Sequence, residues 1–320
     1  MTKKRPGFLF NRAPAIAAIE ELSADIDAIE RDNTLYAEKN FDERAEAIDL
    51  LEFQVTEHLE YLLQETTRPG ELIVLKTRVE KIKTELEEVD LVLFQKLLES
   101  IRGSGYRGTK FKKLVIGYFD LKPEESEGHD TPGYDNLDIF INRLLSFQPI
   151  PEPTKSLEPE MVYYQKTPAR IIFELAEKVH FSKQDVFFDL GSGLGQVAIL
   201  VNLLTGVKTV GVEFEPVFCE YARDCVHNLN LPDITFINND ARNTDYSEGT
   251  IFFLYTPFRG EILEEVLELL RKQALMKKIT VITYGPCTAR VTSQSWLNFV
   301  GPKNDSIYKM AVFNSFTHRK

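Results

Sequence analysis

Apolar residues recur at intervals of three and four through the first hundred positions. Ile16, Ile19, Leu22, Ile26 and Ile29 form one stripe, with charged residues between them. Ala45, Ile48, Leu51, Val55, Leu59 and Leu62 form a second, and Leu72, Leu75, Val79, Ile82, Leu86 and Val89 a third that runs on towards Ile101. Such spacing keeps the apolar side chains on one side of a 3.6-residue turn, so it predicts amphipathic helices. The breaks at Arg68-Pro69-Gly70 and Gly103-Ser104-Gly105 mark where helix should stop. Three or so helices with short connections predict an antiparallel bundle, with contacts to partner proteins as the sharper alternative. His58 is a lone helical histidine and reads as structural.

Beyond the bundle the pattern loosens. Lys113-Leu-Val-Ile-Gly-Tyr-Phe119 reads as a strand, with a short helix left open. Residues 122–134, crowded with Pro, Glu, Gly and Asp, read as an exposed loop, and 140–145 as helix. Pro149-Ile150-Pro151-Glu152-Pro153 is a stiff, extended linker. It sets the expected boundary between a helical domain over 1–150, a lid or substrate-recruiting region, and a second domain over 151–320.

From Thr167 onward short apolar runs alternate with helical stretches. Helices are expected over 169–180, 196–204, 216–228 and 261–273. Strands are expected over 186–190, 208–213, 234–238, 250–255, 279–284 and 308–316. This alternation predicts an α/β, doubly wound, Rossmann-like parallel sheet that binds ligands at the carboxyl ends of its strands.

Composition narrows the setting. The chain is 43% hydrophobic, and its longest apolar runs, such as 251–255, are strand-length, so no membrane partner is expected. The start, with Lys3, Lys4 and Arg5, lacks the apolar stretch of a signal peptide. Three cysteines point to a reducing, cytoplasmic setting rather than a disulfide framework. The net charge of -11 is concentrated in residues 1–150, which carry 20 Lys/Arg against 29 Asp/Glu. An acidic chain repels a phosphate backbone, which argues against nucleic acid as a partner. The basic run Lys110-Phe-Lys-Lys113 reads as a solvated edge.

Chemistry concentrates where the first strand of the second half ends. Asp189-Leu190-Gly191-Ser192-Gly193-Leu194-Gly195 places glycines at alternate positions directly after a strand and opens a helix. Glycine permits the tight turn and lets backbone approach a ligand. A dinucleotide loop would carry glycine at position 196, which here is Gln196. S-adenosylmethionine has no pyrophosphate to cradle; it offers an ammonium and a carboxylate, and Asp189 can meet the ammonium directly or through water. Glu213 ends the next strand, and its two oxygens match two vicinal ribose hydroxyls. Phe214 is expected to pack an adenine face and Asp240 to accept from the adenine amino group, each against a plain structural alternative. No metal-ligand spacing is visible.

These motifs resemble those of class I S-adenosylmethionine-dependent methyltransferases, over about residues 160–316. The local match is to the histone lysine methyltransferases that lack a SET domain: Asp189-Leu-Gly-Ser-Gly-Leu-Gly-Gln-Val197, then Gly211-Val-Glu213. Tyr164-Gln-Lys-Thr167 resembles that family's Tyr-x-x-Thr segment, which closes over the methionine moiety. The resemblance implies cofactor roles for Tyr164, Thr167, Asp189, Gly191, Gly193, Gly195, Gln196 and Glu213. A second reading makes Thr167 the N-cap of a helix with Pro168 in its first turn, and both roles can hold together.

The acceptor end departs from the family. Its paired asparagines and Phe-x-Phe are replaced by Leu254-Tyr255-Thr256-Pro257-Phe258. An amino-group methyltransferase carries a side-chain carbonyl where this chain has Thr256. Tyr255 and Thr256 are therefore the candidates for acceptor positioning, and Cys287 reads as inert. The expected function is methyl transfer to an acceptor the sequence does not identify. A catalytically silent cofactor-binding scaffold and a non-SET protein lysine methyltransferase are the alternatives.

Overall fold

The computed structural model describes residues 15–65, 69–103, 106–119, 133–145, 148–301 and 308–316. The basic start of the chain, Arg68, Ser104-Gly105 and nearly all of the expected 122–134 loop lie outside the described residues. The chain divides into two compact units, Met1–Gln95 and Lys96–Lys320.

In the first unit the helices are α1 (Ala15–Arg31), α2 (Phe41–Asp49), α3 (Glu57–Glu65) and α4 (Gly70–Arg102), the last running on past the boundary. A wider π-type stretch, Leu50–Thr56, joins α2 to α3 without a break. The three apolar stripes meet as expected: Leu22, Ile26, Leu51, Leu59, Val79 and Leu86 share one core. Within it Arg44 is fully buried and pairs through Nε with Asp90 Oδ1 at 2.6 Å, while its Nη1 donates to the carbonyl oxygen of Leu35 at 2.8 Å. That ion pair is invisible in the hydrophobic pattern.

The second unit holds a seven-stranded sheet flanked by helices. Its strands are β1 (Val186–Leu190), β2 (Lys208–Glu213), β3 (Ile234–Asn238), β4 (Ile251–Leu254), β5 (Thr280–Thr283), β6 (Leu297–Val300) and β7 (Ala311–Ser315), in spatial order β3-β2-β1-β4-β5-β7-β6. The first five in that order are parallel. Strand β7 runs antiparallel to both β5 and β6, so the sheet is mixed rather than wholly parallel. Strand β6 was not expected: Leu297-Asn-Phe-Val300 is only four residues long, and only Leu297 of them is buried. Strand order reverses at β1, which pairs with β2 through Asp189–Gly211 and with β4 through Asp189–Phe253. A crevice therefore opens beyond the carboxyl ends of these strands.

The helices of this unit are α5 (Thr109–Ile116), α6 (Asn136–Leu145), α7 (Ala169–Lys178), α8 (Gln196–Thr205), α9 (Pro216–Leu229), α10 (Gly260–Met276) and the short α11 (Thr288–Thr292). Helix α10 buries Ile262, Val266 and Leu270 against Phe188, Leu190, Phe252 and Leu254 on one sheet face. On the other face α8 is buried along Gln196–Leu204 on every side. An all-round apolar helix has to be covered away from the sheet as well, and α5 and α7 both pack against it.

This demand explains two departures from expectation. Residues 113–116 are helical rather than extended, since Phe111 and Val115 are buried four apart. The units divide at Gln95 rather than near 150, because the stretch after α4 belongs to the sheet: Gly108 N donates to the Leu203 carbonyl oxygen at 2.8 Å. Among the described residues no helix is long and apolar enough to cross a membrane.

Candidate functional site

The crevice beyond β1, β2 and β4 is a cleft of about 910 Å³. Asp189, Gly191, Ser192, Gln196, Glu213 and Thr256 are among its lining residues. The three glycines of the loop all have φ in the left-handed region: 78° at Gly191, 50° at Gly193 and 84° at Gly195. Each also sits where a side chain has no room. A Cβ would lie 2.3 Å from Pro257 Cβ at Gly191, 2.2 Å from the Tyr164 ring at Gly193, and 2.5 Å from Phe236 at Gly195. Glycine is thus required twice over, by conformation and by close approach.

Two carboxylates converge on this loop. Asp189 is 3% exposed, and among the described residues its Oδ2 has no hydrogen-bond partner. Burial, with a smaller contribution from nearby Glu213, pushes its carboxyl up to about 8. Ser192 Oγ is likewise buried and, among the described residues, without a hydrogen-bond partner. Glu213 accepts from Gly193 N through Oε2 and from Glu215 N through Oε1, both at 2.7 Å. Burial raises its carboxyl too, opposed by those amides.

Residues that the sequence pattern did not single out shape the far end of the cleft. Glu215, buried at the start of α9, accepts from Thr154 N at 2.9 Å, Thr154 Oγ1 at 2.7 Å and Lys155 N at 2.7 Å. Burial works against its charge, but these bonds outweigh burial and hold the carboxyl below its ordinary range. Lys155 in turn lies over the Phe214 ring, 4.1 Å from its centroid. Asp240 lines the cleft, but both its oxygens are engaged by Arg242, with Nη2 to Oδ2 at 2.6 Å. Arg242 also pairs with Glu158 at 2.6 Å. Asp240 is thereby tied into an ion-pair network instead of standing free for a ligand amino group.

The segment ahead of α7 crosses the loop. Tyr164 packs against Gly193 and lies 5.5 Å from Phe218, ring to ring. Gln196 Nε2 donates to the Thr167 carbonyl oxygen at 3.2 Å. Thr167 is not the N-cap of α7; Pro168 occupies that position, and the first amide, Ala169 N, donates to Asp138 Oδ1 from α6 at 2.8 Å. Nothing local in the sequence reveals a cap supplied from 31 positions away. Further upstream, Val162 N donates to the Pro257 carbonyl oxygen at 3.0 Å, and Glu160 caps α10 through Ile262 N at 3.0 Å.

At the tip of β4, Tyr255 and Thr256 differ in availability. Thr256 adopts φ 42°, which aims its hydroxyl at the loop after β5. There Oγ1 donates to the Tyr284 carbonyl oxygen at 3.3 Å and accepts from Cys287 N at 3.1 Å. The Tyr255 ring lines the cleft 4.9 Å from Tyr284, and its hydroxyl is buried without a well-formed hydrogen bond among the described residues. Burial, and then the neighbouring phenols of Tyr134, Tyr284 and Tyr308, raise its ionisation so that it stays neutral. Cys287 is buried and its thiol is raised chiefly by burial, in keeping with an inert cysteine.

Residues 159–249 match the family model described as "Histone methylation protein DOT1". No curated protein matches the chain. About half of it is similar to solved structures. One is an RNA methyltransferase from Salinibacter ruber in complex with S-adenosyl-L-homocysteine, at 23% identity over 47% of this chain and 92% of that chain, TM-score 0.38. Another is a SAM-dependent methyltransferase from Aquifex aeolicus, at 14% identity over 45% of this chain and 88% of that chain, TM-score 0.37. The stretch that matches the family model, residues 159–249, contains Tyr164, Thr167, the glycine loop and Glu213.

Proposed function

We propose that the cleft binds S-adenosylmethionine and that the chain transfers its methyl group to an acceptor presented at the tip of β4. The observation that carries the reading is Asp189. A buried carboxyl with one oxygen unpartnered among the described residues is costly unless a ligand completes it. The α-ammonium of the cofactor's methionine end is a matching donor, and the glycine loop leaves room for it beside Ser192.

The remaining residues fit the rest of that molecule. Each Glu213 oxygen already accepts one amide and retains a lone pair for a ribose hydroxyl. Phe214, faced by Lys155, offers an aromatic surface at the adenine end. Asp240 acts there by holding Arg242 and Glu158. Tyr164, Thr167 and Gln196 close over the methionine end, and Gly191, Gly193 and Gly195 keep the floor free of side chains.

When bound, the cofactor supplies an electrophilic methyl carbon on a sulfonium, displaced in line. The chain's own task is to align the acceptor and exclude water. Tyr255 offers a neutral phenol to hydrogen-bond the acceptor, and it is not a base. Thr256 acts indirectly, by holding the β4 tip to the loop after β5. Threonine supplies no side-chain carbonyl here and its hydroxyl is engaged by the loop after β5, which favours, as a second reading, a cofactor-binding scaffold without turnover.

Calorimetry with S-adenosylmethionine, S-adenosylhomocysteine and NAD tests the cofactor. Binding of the first two and not the third is expected, and the reverse would end the proposal. Tritiated-methyl transfer into lysate protein, RNA and metabolite fractions then separates enzyme from scaffold: label in none of them, with tight cofactor binding, selects the scaffold.

A further inference from the structure

The segment carrying Tyr164 and Thr167 has no regular structure of its own. Pro168 follows it and has no group with which to cap α7, yet the first amide of that helix belongs to Ala169, which is fully buried. Such an amide needs an acceptor. Asp138 on α6 provides one: Oδ1 accepts from Ala169 N at 2.8 Å, and Oδ2 accepts from Asp135 N at 3.0 Å. One turn along α6, Asn142 Oδ1 accepts from Lys166 Nζ at 2.6 Å. Just before α6, Tyr134 Oη donates to the Lys166 carbonyl oxygen at 2.5 Å, and Asp135 pairs with Arg170.

These contacts grip the segment from its outer side. On its inner side the Thr167 carbonyl is held by Gln196 and Tyr164 lies on Gly193. Neither Tyr134 nor Asp138 lines the cleft. We propose that Asp138 and Tyr134 are positioning residues of the cofactor site, which set Tyr164 and Thr167 over the glycine loop before ligand arrives. A segment already ordered loses less conformational freedom on binding, so the clamp acts on affinity. The inference rests on the cofactor reading above.

The clamp has a titratable part. Burial pushes the Asp138 carboxyl up to about 6, opposed by the amides of Ala169 and Asp135. Asp135, Lys166, Arg170 and Tyr284 are the charged or titratable groups that face it, with Tyr134 alongside. A protonated carboxyl keeps one good acceptor, its carbonyl oxygen, while the hydroxyl oxygen accepts only weakly, so the two amides are no longer both served by a charged oxygen. The clamp therefore weakens as Asp138 takes up its proton.

The test is the Kd of S-adenosylhomocysteine for the full chain, D138N and Y134F between pH 5 and 7.5, with thermal unfolding recorded for each. Asparagine keeps an oxygen for Ala169 N but turns its amide against Asp135 N. At pH 7.5 D138N is expected to bind about tenfold more weakly, the worth of one charge-assisted hydrogen bond. That ratio should shrink towards one by pH 5, where the wild type loses its own carboxylate. Asp189 titrates in both proteins and cancels from the ratio. Y134F alters a half-exposed residue and is expected to weaken binding about threefold at every pH. It carries the test if D138N does not fold, and unchanged affinity in Y134F then overturns the proposal. Wild-type binding with a ratio that is flat across pH overturns the clamp alone. A wild type that binds S-adenosylhomocysteine at no pH overturns the cofactor reading and the clamp with it.

Discussion

Cofactor binding is expected to expel a proton from Asp189. Its carboxyl, pushed up to about 8 by burial and secondarily by Glu213, is about 90% protonated in the free protein at pH 7. An ammonium seated on the unpartnered Oδ2 stabilises the ionised form and brings it back to the ordinary carboxylate range. Binding at pH 7 should then release about 0.9 proton from the protein. The ligand's α-amine, with an ordinary value of about 7.7–8.0, takes up about 0.1. Affinity should rise up to tenfold per pH unit from 6 towards 8, about 1.4 kcal/mol each, and fall above 8 as the amine loses its proton. Titration calorimetry in two buffers of different ionisation heat reads the proton directly, and D189N should lose both the release and the pH slope. Heat independent of buffer in the wild type would refute the pairing. The sign for stability is opposite to that for binding. A carboxyl raised in the folded state holds a proton the unfolded chain has lost, so its contribution is present below about pH 4 and is lost as pH rises through about 8.

Three further outcomes follow from the same geometry. In G193A the new Cβ would stand 2.2 Å from the Tyr164 ring at φ 50°, so Tyr164 must leave the loop at about 1–3 kcal/mol; S-adenosylhomocysteine affinity within twofold of wild type would contradict this. E215A removes the anchor of Thr154 and Lys155, and should cost about 2 kcal/mol in denaturant unfolding while speeding proteolysis within residues 150–160; an unchanged digestion rate would count against this anchoring. D90A leaves the Arg44 guanidinium buried without its carboxylate, and should destabilise the first unit by about 3–5 kcal/mol in urea; a loss under about 1 kcal/mol would show that the pair is not what holds α2 to α4.

Much of the site was legible along the chain because it is built from contiguous residues at strand ends. Asp189, the three glycines, Gln196 and Glu213 each follow a short apolar run. A parallel sheet delivers every such carboxyl end to one crevice. Asp240 lines the cleft, but its side chain is taken by Arg242, two residues on, and by the network reaching Glu158. Thr256 stands at the β4 tip, but its backbone turns to φ 42° and its hydroxyl is bonded to the loop after β5. Neither outcome is written in the spacing of residue types.

The sequence by itself determined the elements: helical periodicity in the first hundred residues, alternation of strand and helix after Thr167, and a glycine loop suited to a left-handed backbone that other residue types adopt only at a cost. Those are local properties, set by side-chain spacing and by φ, and they survive without knowledge of neighbours. Tertiary structure alone decided that α8 needs α5 as well as α7 to cover it, which moves the division of units to Gln95. It also decided that Asp138 caps α7 from another helix, and that Asp189 is left with an oxygen that no group among the described residues satisfies. Burial and hydrogen-bond completion are sums over groups distant in sequence, so they come into being only when the chain has folded.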